Sequence, residues 1–286
     1  MLARRLTWPL AIVLAAALIL TLFPVFWIIS TALKPPTDWN TVPAIWFSAH
    51  PTIVNFLTLF DPDALRVYGV GGVSQAAPAA VGGSILASIV STVLSVAIGL
   101  LSAIGISRYG GGGQATALII LSGRMFPPAA IAVPFVIIFS SVGTIDTYSG
   151  LIAIYVAVTL PFSTWMLKSF VDELPREIEE AAMIDGRSRL MAHLTVTIPL
   201  IRGGLFATTM FIFILNWSEF MFALVLSYTN VITIPVQLAK YVTATAGTLY
   251  GVQAALAVLA MVPLVIAGFL IQSHLARGMT FGAVKR

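Results

Sequence analysis

Long apolar runs separated by short polar segments dominate this sequence. A helix that crosses the hydrocarbon core of a bilayer needs about 20 consecutive, mostly apolar residues. Six runs meet that length, and they lie at residues 10–33, 81–106, 115–142, 149–167, 200–227 and 253–274. The pattern predicts an all-α integral membrane protein in which a single transmembrane domain, residues 1–286, contains six transmembrane helices.

The composition supports a membrane protein. Hydrophobic residues make up 59% of the 286 residues and charged residues only 9%, whereas soluble domains contain about 25% charged residues. The chain has no cysteine, which excludes disulfides and thiolate metal sites. Its three histidines, His50, His193 and His274, lie far apart in the sequence and form no metal-binding motif. No metal site is therefore expected.

The distribution of basic residues predicts the orientation of the chain. If the N-terminus is cytoplasmic and six spans alternate, only Lys34, Arg66 and Lys240 fall on the outside. Eleven basic residues then fall on the cytoplasmic side: Arg4, Arg5, Arg108, Lys168, Arg176, Arg187, Arg189, Arg202, Arg277, Lys285 and Arg286. Because cytoplasmic loops carry an excess of Lys and Arg, both termini are predicted to be cytoplasmic and residues 34–80 to form a long external segment.

A polar segment at residues 168–199 separates the fourth and fifth runs. Pro175 suits the first turn of a helix, and the acidic residues that follow it lie where the helix dipole favours negative charge. Gly186 can adopt the left-handed conformation that ends such a helix, and Ser188 can cap a second short helix that continues to about Leu194. The sequence therefore predicts two short helices joined by a turn on the cytoplasmic surface.

Two functions fit the first of these helices. Ile178, Ala181, Ala182 and Asp185 share one face, and the two alanines make that face narrow enough for another protein to approach closely. Alternatively, the helix anchors the segment at the membrane surface. Helices of that kind usually combine Lys or Arg with large apolar residues, whereas this helix is acidic at its start and rich in alanine. The composition favours the docking of a partner protein.

The same segment carries a family resemblance. Glu-Ala-Ala-Met-Ile-Asp-Gly at 180–186, followed about a dozen residues later by Ile-Pro-Leu at 198–200, resembles the cytoplasmic motif of permease subunits in binding-protein-dependent ABC importers. Further resemblances extend from about residue 115 to the C-terminus and indicate the carbohydrate-uptake branch, with a subunit similar to the smaller maltose permease. They comprise Arg124–Pro128, Leu160–Leu167, Asn216–Phe220, Thr233–Val236 and Arg277–Lys285.

The sequence departs from the family's pattern at three places. Arg187 stands where a small residue is usual, His193 where an aromatic residue is usual, and Gly203-Gly204 where a proline is usual. These departures leave the resemblance intact and bear on which ATPase subunit the chain accepts.

The resemblance implies a fold with six transmembrane helices and a cytoplasmic coupling helix that docks into a cleft on a separate ATPase subunit. It implies that ATP and Mg²⁺ are bound by those ATPase subunits, so that this chain holds no cofactor. The implied partners are a second permease subunit, two ATPase subunits, an extracytoplasmic solute-binding protein and membrane lipid, with no nucleic acid. The implied location is the cytoplasmic (inner) membrane of a bacterium or archaeon. The residues assigned to coupling are Glu179, Glu180, Ala181, Ala182, Asp185, Gly186 and Arg187.

The chain lacks the motif that it would need to hydrolyse ATP itself. A phosphate-binding loop ends in Gly-Lys followed by Ser or Thr. None of the lysines, which lie at positions 34, 168, 240 and 285, follows a glycine. The chain is therefore predicted not to be an enzyme.

Polar residues inside the apolar runs are candidates for contact with a transported solute, because ionisable groups are costly in a bilayer. Asn216, Ser218 and Glu219 lie in the fifth run, with Asn216 and Glu219 three residues apart on one predicted helix face. They either line a substrate path or join helices and cap the end of the span. Arg124 lies near the middle of the third run, where a buried pair is favoured over contact with substrate.

These observations predict a permease subunit that forms half of a translocation pathway. The expected solute is a sugar or a related polyol or glycerol-phosphate-like molecule, and closure of the ATPase subunits would switch the helix bundle between inward-facing and outward-facing states. Three alternatives stay open. They are a permease of the same superfamily for another solute such as a polyamine, a self-sufficient secondary transporter or channel, and a receptor-like scaffold without transport.

Overall fold

The structure is a computed structural model that describes residues 8–71, 73, 76–112, 115–123, 127–243 and 247–281. Most of these residues are helical. In chain order the α-helices are α1 (Trp8–Ala32), α2 (Val54–Thr58), α3 (Ala77–Tyr109), α4 (Thr116–Ser122), α5 (Pro128–Ser141), α6 (Tyr148–Asp172), α7 (Arg176–Ile184), α8 (Arg189–Ala192), α9 (Ile198–Leu200), α10 (Arg202–Trp217), α11 (Met221–Leu226), α12 (Ile234–Lys240) and α13 (Tyr250–Phe281).

Shorter elements complete the description. A π-helix (His193–Thr197) joins α8 to α9, and two 3-10 helices cover Pro36–Asp38 and Arg66–Tyr68. The strands β1 (Val242–Thr243) and β2 (Gly247–Thr248) pair antiparallel, with Val242 opposite Thr248.

Four of the described helices are long and apolar enough to cross a membrane. They are Trp8–Ala32, Ala77–Tyr109, Tyr148–Asp172 and residues 250–272 of α13. A fifth candidate consists of Arg189–Leu200 and Arg202–Trp217, which bend by 76° at the break between them. The remaining apolar helix of intermediate length is Pro128–Ser141. These helices lie in the six predicted apolar runs, apart from Arg189–Leu200, most of which lies in the predicted polar segment. Two of the runs are not single helices.

The third run, residues 115–142, is divided rather than continuous. α4 ends at Ser122 and α5 begins at Pro128, while Arg124 and its two following neighbours lie outside the described residues. The division has a local cause, because Pro127 precedes another proline and is extended with a ψ of 128°. A residue before proline is sterically pushed away from helical conformation, so the helix restarts with Pro128 in its first turn.

The fifth run, residues 200–227, is also interrupted. α10 ends at Trp217, and Ser218 takes a ψ of 2° that leaves the helical path before α11 begins. At the other end, Leu200 belongs to the preceding helical stretch, and the chain turns at Ile201. The prediction of one uninterrupted span over this run was therefore wrong at both ends.

The chain divides into two compact units. The first contains Met1–Pro78 and Gln237–Val262, and the second contains Ala79–Val236 and Pro263–Arg286. In the first unit, buried Asn55 donates hydrogen bonds of 2.8 Å to the carbonyls of Ala32 and Lys34. The Trp39 indole donates to the Lys34 carbonyl as well. Any side chain at Gly251 would lie 2.5 Å from the Trp39 indole nitrogen, so this packing requires glycine there.

The core of the second unit combines apolar packing with buried hydroxyl groups. Leu151, Ile154 and Tyr155 of α6 pack against α11 and α5. Between α3 and α6, Ser95 and Thr159 share a hydrogen bond of 2.8 Å. These two helices approach closely, since a Cβ atom at Gly99 would lie 2.8 Å from the Cβ of Ser163. Small residues allow helices in membranes to pack at this distance.

Candidate functional site

The polar segment predicted after the fourth run folds as a chain of short helices, here called the 176–200 segment. α7 runs from Arg176 to Ile184 and ends in a Schellman motif: the Gly186 amide donates to Met183 and the Arg187 amide to Ala182. Gly186 has a φ of +90°, so its predicted left-handed conformation is confirmed. The Ser188 hydroxyl accepts a hydrogen bond from the Met191 amide and caps α8, as predicted.

The second half of the segment is longer than the sequence indicated. α8 continues through the π-helix into α9, so one helical stretch extends from Arg189 to Leu200 rather than ending near Leu194. π-Helices are rare and occur frequently at functional sites. This π-helix turns His193 and Thr197 toward the protein interior, where both are buried.

The 176–200 segment exposes several large apolar side chains. Ile184 is 87% exposed, and four further apolar residues are also exposed: Ile178, Leu190, Met191 and Leu194. The polar or small residues Glu180, Ala181, Asp185 and Arg187 are exposed as well. Large apolar residues clustered on a polar surface typically mark a contact with another protein or with a membrane.

One side of α7 faces the chain's own interior. Glu179 and Ala182 are the two buried residues of this helix. The prediction that Ala182 shares the docking face was therefore wrong, because the helix turns it inward while Ala181 and Glu180 point outward. Glu179, which was assigned to coupling, is buried as well. A helical repeat predicts which residues share a face, but it does not determine which face is buried.

The buried side of α7 is held by a polar network. The Arg108 Nε atom at the end of α3 donates to both carboxylate oxygens of Glu179, at 3.0 and 2.9 Å. Both side chains are nearly inaccessible, at 6% and 7% exposure. The Arg108 Nη2 atom donates to the carbonyls of Val171 and Leu174 at the end of α6. The pair thus joins three helices.

The network continues into the π-helix. Thr197 donates to the Glu179 carboxylate at 2.7 Å, so its oxygen is available to accept from the Nδ1–H of His193, 3.1 Å away. The Nε2 atom of His193 then accepts from the Tyr109 hydroxyl at 2.7 Å. Each hydrogen bond from Tyr109 through His193 and Thr197 is donated toward the Glu179 carboxylate, which can only accept. This direction assigns the tautomer of His193 that carries its proton on Nδ1.

A cleft of about 210 Å³ opens beside this network. Arg176 at its wall donates to the carbonyl of Ser107, and the Arg189 guanidinium lies 5.9 Å from the centre of the Tyr109 ring. Among the described residues, no group of histidines and carboxylates is arranged to hold a metal ion.

The candidate substrate-path residues do not form one cluster. Asn216 is buried and donates to the Thr92 hydroxyl at 3.1 Å, which joins α10 to α3. Glu219 lies beyond the end of α10, where its carboxylate accepts from the Phe222 amide and caps α11. The predicted shared helix face of Asn216 and Glu219 is wrong because the helix ends between them. Ser218 is exposed, and Arg124 lies outside the described residues.

The family match extends over most of this architecture. Residues 95–281 match the protein family described as binding-protein-dependent transport system inner membrane component. This region includes the 176–200 segment and the Arg108–Glu179 pair. The chain belongs to this family.

Individual relatives of this permease match over nearly their whole length. A probable ABC transporter permease protein of Sinorhizobium fredii is 32% identical over 286 residues, which cover 99% of this chain and 96% of the relative. A trehalose/maltose transport system permease protein of Thermococcus litoralis is 31% identical, with 93% and 92% covered. A sulfoquinovosyl glycerol transport system permease protein of Agrobacterium fabrum is 30% identical, with 97% and 94% covered.

A solved structure shares the fold of this permease. It is a bacterial ABC transporter that imports the acidic polysaccharide alginate, and its chain matches with a TM-score of 0.73 over 92% of this chain and 94% of that chain. At 18% identity this similarity establishes the fold alone. The chain therefore has the type I importer permease fold. Its family and its long apolar helices make it a multi-pass inner membrane protein.

Asp146 is a further residue of the permease that the sequence analysis missed. It takes a left-handed φ of 56° between α5 and α6, and its carboxylate accepts hydrogen bonds from the amides of residues 228–231 and from the Thr229 hydroxyl. Partial burial opposes its ionisation, but these hydrogen bonds outweigh that effect and hold the pKa of Asp146 well below its usual range. The available signal was the residue type alone, since aspartate is one of the few residues other than glycine that visit the left-handed region.

Proposed function

We propose that this chain is one of two permease subunits in a binding-protein-dependent ABC importer, and that its 176–200 segment is the cytoplasmic docking surface for a separate ATPase subunit. The observation that carries the proposal is the exposed apolar side chains of this segment, with Ile184 the most accessible of them. α7 is held from behind by the Arg108–Glu179 pair. A helix that is exposed on one face and anchored by a buried ion pair on the opposite face can transmit a displacement imposed by a bound partner.

The proposed orientation follows from charge. Arg108, Arg176, Arg187 and Arg189 all lie in or beside the 176–200 segment, and such clusters are typical of cytoplasmic loops. Both termini are then cytoplasmic as well. The complete importer would contain a second permease subunit, two ATPase subunits that bind ATP and Mg²⁺, and an extracytoplasmic solute-binding protein.

The proposed cargo is a sugar or a related polyol or glycerol-phosphate-like solute. Support comes from the relatives, which transport trehalose and maltose, sulfoquinovosyl glycerol, or diacetylchitobiose according to their names. Ser218 and Glu219 are the path candidates that are accessible or partly accessible where α10 breaks. Movement of the docking surface by ATP-driven closure would shift the helix bundle around this path, in the manner of alternating access.

The docking surface is tested by Ile184→Asp. A carboxylate at this position would have to be desolvated on contact with an apolar partner surface, and truncation of such central contacts typically costs about 2 kcal/mol or more of binding. The matched control is Val67→Asp, because Val67 is 89% exposed and belongs to the segment before α3 rather than to the 176–200 segment. The measurement is the amount of ATPase subunit that co-purifies with each permease variant from the co-expressed importer.

We expect Ile184→Asp to reduce the retained ATPase subunit several-fold while Val67→Asp retains the wild-type amount. Equal retention by both variants would refute the docking assignment. It would instead favour a segment that lies on the membrane surface, where the Ile184 variant would bind anionic vesicles less strongly than the control.

A further inference from the structure

The attachment of α7 to the rest of its unit is unusually polar. Of its nine residues, only Glu179 and Ala182 are buried. An alanine methyl group buries little apolar surface, so hydrophobic packing alone fixes the helix weakly. The Glu179 carboxylate, with Arg108 and Thr197 as its donors, supplies the specific contacts on this face.

Buried ion pairs of this kind are poorly explained by stability alone. Desolvation of the two charges offsets most of their attraction, and apolar replacements of similar volume are often as stable. The best-attested use of such groups is to fix one arrangement of the elements that they join. Here the elements are the end of α3, the end of α6, α7 and the π-helix. Arg108 donates to acceptors on both α7 and the end of α6, and Thr197 of the π-helix donates to Glu179.

We propose that the Arg108–Glu179 pair, with Thr197, His193 and Tyr109, is the mechanical link that makes α7 and α3 move as one body. Arg108 and Glu179 are positioning residues in this proposal, because they lie behind the docking surface and act through it. The inference rests on the proposed function, since a link is useful only if a partner displaces α7. Without the link, α7 would keep the packing of Ala182 and the hydrogen bond from Arg176 to the Ser107 carbonyl, and its movement would reach the long helix α3 less completely.

The test is a distance measurement between the two helices. The chain has no cysteine, so spin labels can be placed at Glu177→Cys on α7 and Leu101→Cys on α3, both of which are exposed. The labelled permease is reconstituted with its ATPase subunits in nanodiscs, and the distance distribution is recorded without nucleotide and with MgATP and vanadate. In the otherwise wild-type protein we expect one narrow distribution that nucleotide leaves unchanged.

The network is then removed without leaving a charge unpaired, by combining Arg108→Met with Glu179→Leu. We expect this variant to retain its ATPase subunits and its melting temperature, but to give a broader distribution that shifts on addition of nucleotide. The matched control combines Arg66→Met with Asp63→Leu, which removes an exposed ion pair in the segment before α3 and should behave like the wild type. A narrow, unchanged distribution in the Arg108/Glu179 variant would overturn the proposal.

If the Arg108/Glu179 double variant does not fold, two single substitutions at Thr197 test the link instead. Thr197→Val removes the hydroxyl between His193 and Glu179, and Thr197→Ser keeps it. Broadening in the valine variant alone supports the link, and identical distributions in both overturn it. Loss of the ATPase subunits from the Arg108/Glu179 variant would also count against the link, because the network would then shape the docking surface rather than transmit its movement.

A failure of the proposed function would give a different experimental result from a failure of the link. In that case the wild-type permease would not retain ATPase subunits at all, whatever the distance between the labels.

Discussion

At the scale of single residues, Asp146 shows how one carboxylate can join two loops. The four consecutive amides at residues 228–231 point toward it, and the Asp146 amide in turn donates to the Leu226 carbonyl. A carboxylate that accepts several backbone hydrogen bonds is strongly favoured in its ionised form. The left-handed backbone at Asp146 is tolerated better by Asp or Asn than by other residues with side chains. Substitution by Asn therefore removes the charge but keeps the backbone conformation, so that the two contributions to stability can be measured separately.

We predict that Asp146→Asn destabilises the protein by about 2 kcal/mol, because hydrogen bonds to a charged acceptor contribute roughly that much and the amide group cannot accept with both atoms. Asp146→Ala should cost more, since it also loses the tolerance of the left-handed conformation. Asp61→Asn is the control, because Asp61 is exposed and accepts a single local backbone hydrogen bond. Thermal unfolding of the purified variants at pH 7 measures the differences.

The same carboxylate predicts a pH dependence. Because its pKa in the folded protein is far below the unfolded value of about 3.9, the unfolded state binds a proton first as the pH falls. The stabilisation by Asp146 is therefore complete above about pH 5 and declines below about pH 4. The melting-temperature difference between wild type and Asp146→Asn should shrink over this range, and a constant difference would contradict the assignment of the effect to charge.

At the scale of elements, some features of the 176–200 segment follow from neighbouring residues in the sequence, and others depend on residues far along the chain. The end of α7 at Gly186 and the cap at Ser188 depend on neighbouring residues only, and both were predicted correctly. The inward rotation of Glu179 was not predictable, because its partner Arg108 is 71 residues away. No helical pattern signals a tertiary ion pair, so the sequence did not indicate that this carboxylate is buried. An Arg just after the second apolar run and a Glu in the polar segment after the fourth run were the available signals.

We predict that Gly186→Ala weakens the segment, because a side chain in the left-handed conformation costs about 1–2 kcal/mol. Space is not the cause, since nothing lies within 4 Å of a Cβ atom added at Gly186. Gly203 is the control: a Cβ there also meets nothing within 4 Å, but the residue is helical. Alanine at Gly203 should stabilise α10 by up to about 1 kcal/mol.

Hydrogen exchange of the amides at residues 183–187 measures the local effect of these two substitutions. Faster exchange is expected in Gly186→Ala only. Equal exchange in both variants would show that the Schellman motif does not limit the opening of this turn.

At the scale of the whole molecule, the lengths of the apolar runs predicted the fold class, which the family and the solved relative confirm. The interruptions at Ile201 and after Trp217 both lie in the fifth run and escaped prediction. That run is apolar on average despite the polar residues beside each break, and mean hydropathy does not report the direction of the backbone. The capping of α11 by Glu219 explains the second break only once α10 is known to end before it. Which residues contact the solute was not predictable either, since Asn216 proved to be a helix-to-helix contact.

The proposed orientation gives the last prediction. Because the chain has no cysteine, a single introduced cysteine reports which side of the membrane it occupies. Asp61→Cys should react with an impermeant maleimide in intact cells or spheroplasts, whereas Glu180→Cys should react only after permeabilisation. Both side chains are exposed, so a difference in labelling reflects sidedness rather than burial. The physical reason is the concentration of arginine around the 176–200 segment, which opposes its transfer across the membrane during insertion. Labelling of Glu180→Cys from outside would invert the topology and place the proposed docking surface where no ATPase subunit could reach it.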